Sequence, residues 1–302
     1  MIDQQDTGKP SPLSEEDYPS PDSVPETPQT LSPTYIPAYA DQEFLRRDEL
    51  RAVRFQLELM KPDLLQREQN IKSTVVVFGS TRIKQPEEAR NLLEAARAAA
   101  AADPDNKGLQ QKLRISESLF AKSHYYDKAQ ELGQLIATET AVEGNCEAVV
   151  VTGGGPGIME AANRGSFESG GKSIGLNIIL PREQYPNQFI TPELCFQFQY
   201  FALRKLHFLL RAIALVVFPG GFGTLDELFE TLTLIQTQKM APLPILLFGR
   251  EYWEKIINFQ ALVHEGTISQ QDFKLVQFVE SPLEAWKIIK KFRLDRETSG
   301  TP

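Results

Sequence analysis

Hydrophobic runs alternate with amphipathic segments along most of this chain. The run Ser73–Phe78 is rich in valine and ends at Gly79, a pattern typical of a strand buried on both faces of a parallel sheet. Similar runs predict further strands at 147–152, 173–180, 194–198, 213–218, 244–248 and 273–279. Helical spacing or alanine-rich composition predicts helices at 41–70, 86–102, 107–122, 125–139, 158–168, 200–212, 225–238, 252–263 and 282–292.

This alternation of strands and helices predicts an α/β fold: a Rossmann-like, doubly wound, mainly parallel sheet with helices on both faces. We expect that domain at residues 73–295, with a helical insertion at about 84–122. Residues 41–72 would form an N-terminal helical extension and residues 296–302 a flexible C-terminus.

The first 40 residues differ sharply in composition from the rest. They contain eight of the twenty prolines and account for −6 of the net charge of −8. Such a segment buries too little apolar surface to offset the entropy lost on ordering, so we expect a disordered tail at 1–40. The remaining chain is nearly neutral and has no basic stripe, which argues against a nucleic-acid partner.

Other classes of protein are also disfavoured by composition. No apolar run is long enough for a membrane span, and the N-terminus lacks the pattern of a signal peptide. The presence of only two cysteines, Cys146 and Cys195, argues against a disulfide framework and fits a cytoplasmic location. His124, His207 and His264 are scattered, so we expect no metal site.

Two glycine-rich turns each follow a predicted strand and open a helix. They are Gly153–Gly157 (the first glycine turn) and Pro219–Gly223 (the second glycine turn), the latter followed by Thr224, a good helix N-cap. Glycines let backbone N–H groups approach an anion, and a helix N-terminus favours negative charge. Each turn alone could be a tight connection, but the pair at one sheet edge favours a nucleotide site. Neither turn matches the dinucleotide or Walker A pattern.

Charged residues near the same edge leave several assignments open. Arg204 lies in a helix whose other residues (Phe201, Leu206, Phe208 and Leu209) look buried, so it either reaches solvent or enters a polar pocket. Glu227 follows the second glycine turn, where an acid in the first helical turn would stabilise the helix dipole, and Asp226 fits that role equally well. Arg82 is a third candidate, and spacing alone does not choose among them.

Together these motifs resemble the Lonely Guy (LOG) family of cytokinin riboside 5′-monophosphate phosphoribohydrolases, once labelled lysine decarboxylases. The resemblance covers about residues 73–292 and is most specific at P-G-G-x-G-T-x-x-E, intact as Pro219–Glu227. It implies that Arg204 and Glu227 are the catalytic pair. It also implies these substrate-binding residues: Gly79, Ser80, Arg82, Gly153, Gly154, Gly155, Gly157, Met159, Glu160, Asn163, Lys205, Gly220, Gly221, Gly223 and Thr224.

The resemblance implies hydrolysis of the N-glycosidic bond of an AMP-like or cytokinin nucleotide, giving free base and ribose 5-phosphate without a metal or cofactor. The alternative is a non-catalytic Rossmann protein that binds a nucleotide or the molybdenum cofactor. A small-molecule nucleotide is the expected partner, with no nucleic acid and no membrane. The family and the apolar helix at 200–212 also suggest a homo-oligomer, a dimer or a multiple of dimers.

Overall fold

The computed structural model describes residues 25–140, 148–181 and 185–299, and these divide into a short unit ending at Arg54 and a larger one beginning at Phe55. The short unit contains helix α1 (Gln42–Leu45), 3₁₀ turns at Pro33–Tyr35 and Asp48–Leu50, and the start of α2 (Arg51–Glu68). Asp41 caps α1 by accepting a hydrogen bond from the Phe44 N–H at 2.9 Å.

Seven parallel strands of the described residues form the centre of the larger unit. In spatial order they are β4 (Cys195–Phe198), β3 (Ser173–Ile178), β2 (Val149–Thr152), β1 (Thr74–Phe78), β5 (Ala212–Val217), β6 (Ile245–Phe248) and β7 (Val276–Val279). Every residue of β1 is buried: Val75 and Val77 join one hydrophobic core, while Val76 and Phe78 join the other. This is why β1 shows an unbroken apolar run rather than alternation.

Helices cover both faces of the sheet, which confirms the predicted α/β fold class. One core is formed with α5 (His124–Thr140), α6 (Ile158–Glu168) and α12 (Pro282–Ser299). The opposite core is formed with α7 (Phe201–Leu209), α8 (Phe222–Gln236), α9 (Arg250–Ile256) and α10 (Phe259–His264). The remaining helices are α3 (Pro86–Ala102), α4 (Lys107–Ala121) and α11 (Gln270–Phe273), with a 3₁₀ turn at Pro192–Leu194.

Local capping explains where the structure differs from the predicted elements. The single helix expected at 252–263 is two helices, because the Asn258 side chain caps α10 by accepting from the Ala261 N–H at 2.9 Å. The strand expected from residue 273 begins at Val276, since a capping box at Ser269 starts α11. Helix α8 begins at Phe222 rather than at 225.

Some predictions fall outside the described residues. They include most of the tail (residues 1–24), Cys146 and residues 300–302. The predicted domain boundaries, including the disordered tail at 1–40 and the insertion at 84–122, stay predictions, although 86–102 and 107–121 are helical. Within the described part of the chain, no helix has both the length and the apolar character needed to cross a bilayer.

Candidate functional site

A cavity lies at the point where the order of strands reverses. From β1 the chain proceeds outward to β4 and then returns to β5, on the other side of β1. Crevices at the carboxyl ends of strands at such a point are where open α/β sheets bind ligands. The cavity has a volume of about 640 Å³, within the range of small-molecule sites. It is lined mainly by the loop after β1 (residues 79–83) and by the second glycine turn.

Hydrogen bonds hold these two loops side by side. The Ser80 N–H donates to the Pro219 carbonyl at 3.0 Å, and the Tyr252 hydroxyl donates to the Gly220 carbonyl at 2.6 Å. On the other side, the Ile158 N–H donates to the Ser80 carbonyl at 3.2 Å. Gly157, with φ of 74°, packs so closely on Ser80 that a side chain there would collide with its backbone. The rim of the cavity is therefore preorganised by backbone contacts.

The second glycine turn opens toward the cavity and begins α8. Gly221 is the N-cap, so Thr224 lies inside the first turn, and the expectation that Thr224 is the cap was wrong. A Cβ atom on Gly221 or Gly223 would meet no protein atom within 4 Å, so internal packing does not require glycine there. The first N–H groups of a helix lack intrahelical acceptors and carry partial positive charge. This end of the cavity thus suits an anion that comes close to the backbone.

Glu227 lines the cavity from the second turn of α8, not from the first turn as expected. Glu227 is only 6% exposed, and no described residue donates a hydrogen bond to its carboxylate. Burial raises the pKa of Glu227 to about 7; Lys205 and Arg204 oppose this rise, whereas Glu230 and Asp226 add to it. Glu227 therefore does not act as an acid that stabilises the helix dipole, because it lies beyond the first turn and burial disfavours its charge.

Arg204 reaches the cavity from α7, and its guanidinium is fixed by backbone carbonyls. Nε donates to the Leu176 carbonyl at 2.7 Å and Nη2 to the Gly153 carbonyl at 3.5 Å, while the guanidinium lies 5.3 Å from the Phe208 ring centre. Burial lowers the pKa of Arg204, and the negative charge of Glu227 opposes that shift. A Cβ atom on Gly153 would lie 2.5 Å from an Arg204 nitrogen, so this glycine makes room for the guanidinium.

The structure brings ten of the predicted site residues to the cavity wall: Gly79, Ser80, Arg82, Met159, Arg204, Gly220, Gly221, Gly223, Thr224 and Glu227. The sequence also suggested that Phe201 and Leu206 of α7 are buried, and this was wrong: they are 51% and 42% exposed. Phe201 lies on the cavity wall, whereas Phe208 is fully buried in the core.

The other predicted residues lie outside the cavity lining. Gly153, Gly154, Gly155 and Gly157 are buried. Glu160 accepts a hydrogen bond from the Tyr126 hydroxyl at 3.0 Å, and Asn163 accepts one from the Thr152 hydroxyl at 2.7 Å. Lys205 pairs with Asp226 at 2.7 Å and with Glu230 at 3.1 Å, and Asp226 is itself an exposed residue of the cavity wall. Contact of these predicted residues with substrate stays a prediction.

Sequence reasoning missed several residues of the cavity wall. They come from four separate segments: Leu119, Lys122, Phe201, Phe222 and Tyr252. No motif marks Lys122 or Tyr252, although the exposed aromatic inside the second glycine turn, Phe222, could have been noticed. Among the described residues, no cluster of three or more His, Cys, Asp or Glu side chains could hold a metal ion.

Solved structures with a related chain path share little sequence with this protein. The molybdenum cofactor carrier protein of Chlamydomonas reinhardtii is 19% identical with a TM-score of 0.43, covering 74% of this chain and 99% of that one. The molybdenum cofactor binding protein of Rippkaea orientalis is 23% identical with a TM-score of 0.41, covering 55% of this chain and 86% of that one.

Sequence relatives define the family more closely. A family model described as "Possible lysine decarboxylase" matches residues 159–289. The Arabidopsis thaliana cytokinin riboside 5′-monophosphate phosphoribohydrolase LOG1 is 31% identical over 175 residues, which are 56% of this chain and 76% of that enzyme. LOG3 of the same plant is 29% identical over 185 residues, which are 60% of this chain and 81% of LOG3. The match to LOGL5 of Oryza sativa subsp. japonica is 29% identical over 49% of this chain and spans 58% of that relative. The chain therefore belongs to the LOG family.

Proposed function

We propose that this protein hydrolyses the N-glycosidic bond of nucleoside 5′-monophosphates, releasing the free base and ribose 5-phosphate. The observation that carries the proposal is Glu227: a buried carboxylate without a hydrogen-bond donor, with a pKa of about 7, on the wall of a nucleotide-sized cavity. Perturbed carboxylates in clefts are characteristic of acid–base catalysis. A protein that only binds its ligand has no need to bury such a group.

The chemistry of the bond explains why a carboxylate is needed. As an N-glycosidic bond breaks, positive charge develops on the ribose, as it does in glycoside hydrolysis. In our proposal the ionised Glu227 lies near the anomeric carbon, where it stabilises that charge and activates the attacking water. Burial strengthens this effect, since the attraction between the carboxylate and the developing cation is less screened than in water.

Arg204 would orient both the substrate and Glu227. Its guanidinium is held by two backbone carbonyls from different segments, at Leu176 and Gly153. This leaves part of the planar donor fork for a ligand oxygen or for the carboxylate. Its charge also opposes the rise in the pKa of Glu227, keeping more of the carboxylate ionised near neutral pH.

The second glycine turn would bind the 5′-phosphate. Gly221 and Gly223 face open space, and the N-terminus of α8 favours an anion. Binding energy from the phosphate, remote from the bond that breaks, would then position the ribose against Glu227. Apolar residues on the wall, among them Leu119, Met159 and Phe201, suit the flat face of a base.

The family supports our choice of substrate class. The relatives named above are cytokinin riboside 5′-monophosphate phosphoribohydrolases, so AMP and cytokinin nucleotides are the first candidates. We propose that the reaction requires no metal and no organic cofactor, because the carboxylate and the fixed arginine supply the acid–base and orienting groups.

A panel of nucleoside 5′-monophosphates tests the proposal. Purified protein should release base and ribose 5-phosphate in equal amounts from at least one nucleotide, and Glu227→Gln should slow this release by about 100-fold or more, as expected for loss of an acid–base group. The rate should rise with pH through about 7, because the ionised form of Glu227 is the active one. Tight nucleotide binding without any base release would instead support the nucleotide- or cofactor-binding alternative.

A further inference from the structure

Lys122 reaches the cavity from a part of the chain that carries none of the recognised motifs. It directly follows α4, the second helix of the pair α3 and α4, and lines the same cavity as Glu227 and the second glycine turn. Leu119, one turn earlier on α4, also lines the cavity and packs against the core beneath α5. The C-terminal end of α4 and the residue that follows it therefore form part of the cavity wall.

Short hydrogen bonds fix Lys122 in the link between α4 and α5. Its N–H donates to the Leu119 carbonyl, and its carbonyl accepts from the Tyr125 N–H, each at 3.0 Å. The Tyr125 ring lies edge-on to Phe218, with centroids 6.4 Å apart. Phe218 immediately precedes the second glycine turn. These contacts connect the segment that carries Lys122 with the strand end from which the second glycine turn starts.

The electrostatic surroundings of Lys122 favour an incoming anion. Its ammonium donates to the Ser118 carbonyl at 2.9 Å and to the Ser118 hydroxyl at 2.7 Å, which occupies two of its three N–H groups. Burial and the neighbouring charge of Lys255 lower the pKa of Lys122, while Glu251 partly opposes this shift. The described cavity wall has two other cations, Arg82 and Arg204. Arg204 already donates hydrogen bonds to the carbonyls of Leu176 in β3 and Gly153 after β2.

We propose that Lys122 is a substrate-binding residue that contacts the 5′-phosphate held at the second glycine turn. The identity of this ligand rests on the proposed function. The backbone of the turn supplies oriented dipoles, whereas Lys122 supplies a full positive charge that can neutralise a phosphate. A consequence is that Lys122 sets the preference for nucleotides over the corresponding nucleosides.

Replacing the charge tests this role. Lys122→Met keeps most of the side-chain length but removes the ammonium, and should weaken binding of ribose 5-phosphate by about 10- to 100-fold, as expected for one charge-assisted hydrogen bond. Lys112→Met, an exposed change on α4 and outside the cavity lining, is the control and should bind normally. Calorimetry measures both, and circular dichroism checks that α4 remains folded. Unchanged affinity in Lys122→Met would overturn the proposal.

A measurement on the unmodified chain avoids any effect of substitution on folding. Lysine acetylation by a water-soluble reagent, read by mass spectrometry, should be slowed at Lys122 but not at Lys112 by saturating ribose 5-phosphate, and ribose should not protect either lysine. Absence of protection, or no binding of ribose 5-phosphate at all, would also overturn the proposal. Base release is assayed separately: protection at Lys122 without base release would refute the proposed function alone, and base release without protection would refute Lys122 alone.

Discussion

Replacing Glu227 by glutamine should stabilise the fold at alkaline pH while it removes the proposed activity. The pKa of Glu227 is raised from an ordinary 4.5 to about 7 in the folded protein. The folded state therefore holds a proton that the unfolded state releases, and the resulting stabilisation is complete below pH 4.5 and is lost as pH rises through about 7. A pKa shift of one unit corresponds to about 1.4 kcal/mol, so the stabilisation lost is about 3 kcal/mol.

Glutamine keeps the shape of the side chain but has no charge to bury. The free energy of unfolding of Glu227→Gln, relative to the unmodified protein, should therefore increase by about 2–3 kcal/mol between pH 5 and pH 8. Urea denaturation at both pH values measures this difference. A thermal midpoint raised by roughly 2 °C for each kcal/mol would agree with it.

The matched control is Glu254→Gln, which removes an exposed glutamate that pairs with Arg250 on α9. Exposed ion pairs of this kind contribute well under about 1 kcal/mol, so its stability should show no comparable dependence on pH. If the free energy of unfolding of Glu227→Gln, relative to the unmodified protein, does not change between pH 5 and pH 8 or decreases, then burial does not disfavour the Glu227 charge and the prediction is refuted.

Three further predictions concern the guanidinium, assembly and the tail. Arg204→Lys should lower the rate of base release by about 10-fold or more in steady-state assays, because an ammonium cannot reproduce the hydrogen bonds to the Leu176 and Gly153 carbonyls. A rate equal to that of the unmodified protein would refute the orienting role. We propose that the protein self-associates through apolar residues at the C-terminal end of α7, where Leu206 and Leu210 are 42% and 47% exposed. A light-scattering mass of 34 kDa would exclude this. Deleting residues 1–40 should leave the thermal midpoint and base release nearly unchanged, and a large loss of either would show that the tail supports the fold.

Much of the fold could be predicted because the relevant signals are local. An apolar run such as Val75–Phe78 buries all its side chains when helices cover both faces of the sheet. The strand β1 was therefore recognisable without any knowledge of its neighbours. The second glycine turn was recognisable for the same reason, since glycine spacing directly restricts backbone geometry. The helix start was less visible: Gly221 rather than Thr224 is the N-cap of α8, and no side chain makes a capping hydrogen bond there.

The sequence by itself determined the parallel α/β sheet, the edge at which the cavity lies and ten of the residues on the cavity wall. Only the tertiary structure decided that the glycines of the first glycine turn are buried outside the cavity lining, that Glu227 is desolvated and that Lys122 joins the wall. The physical reason is that propensity and turn chemistry belong to a few adjacent residues. Burial, pKa and cavity shape depend instead on segments far apart in the chain, which come together only when the helices pack on the sheet.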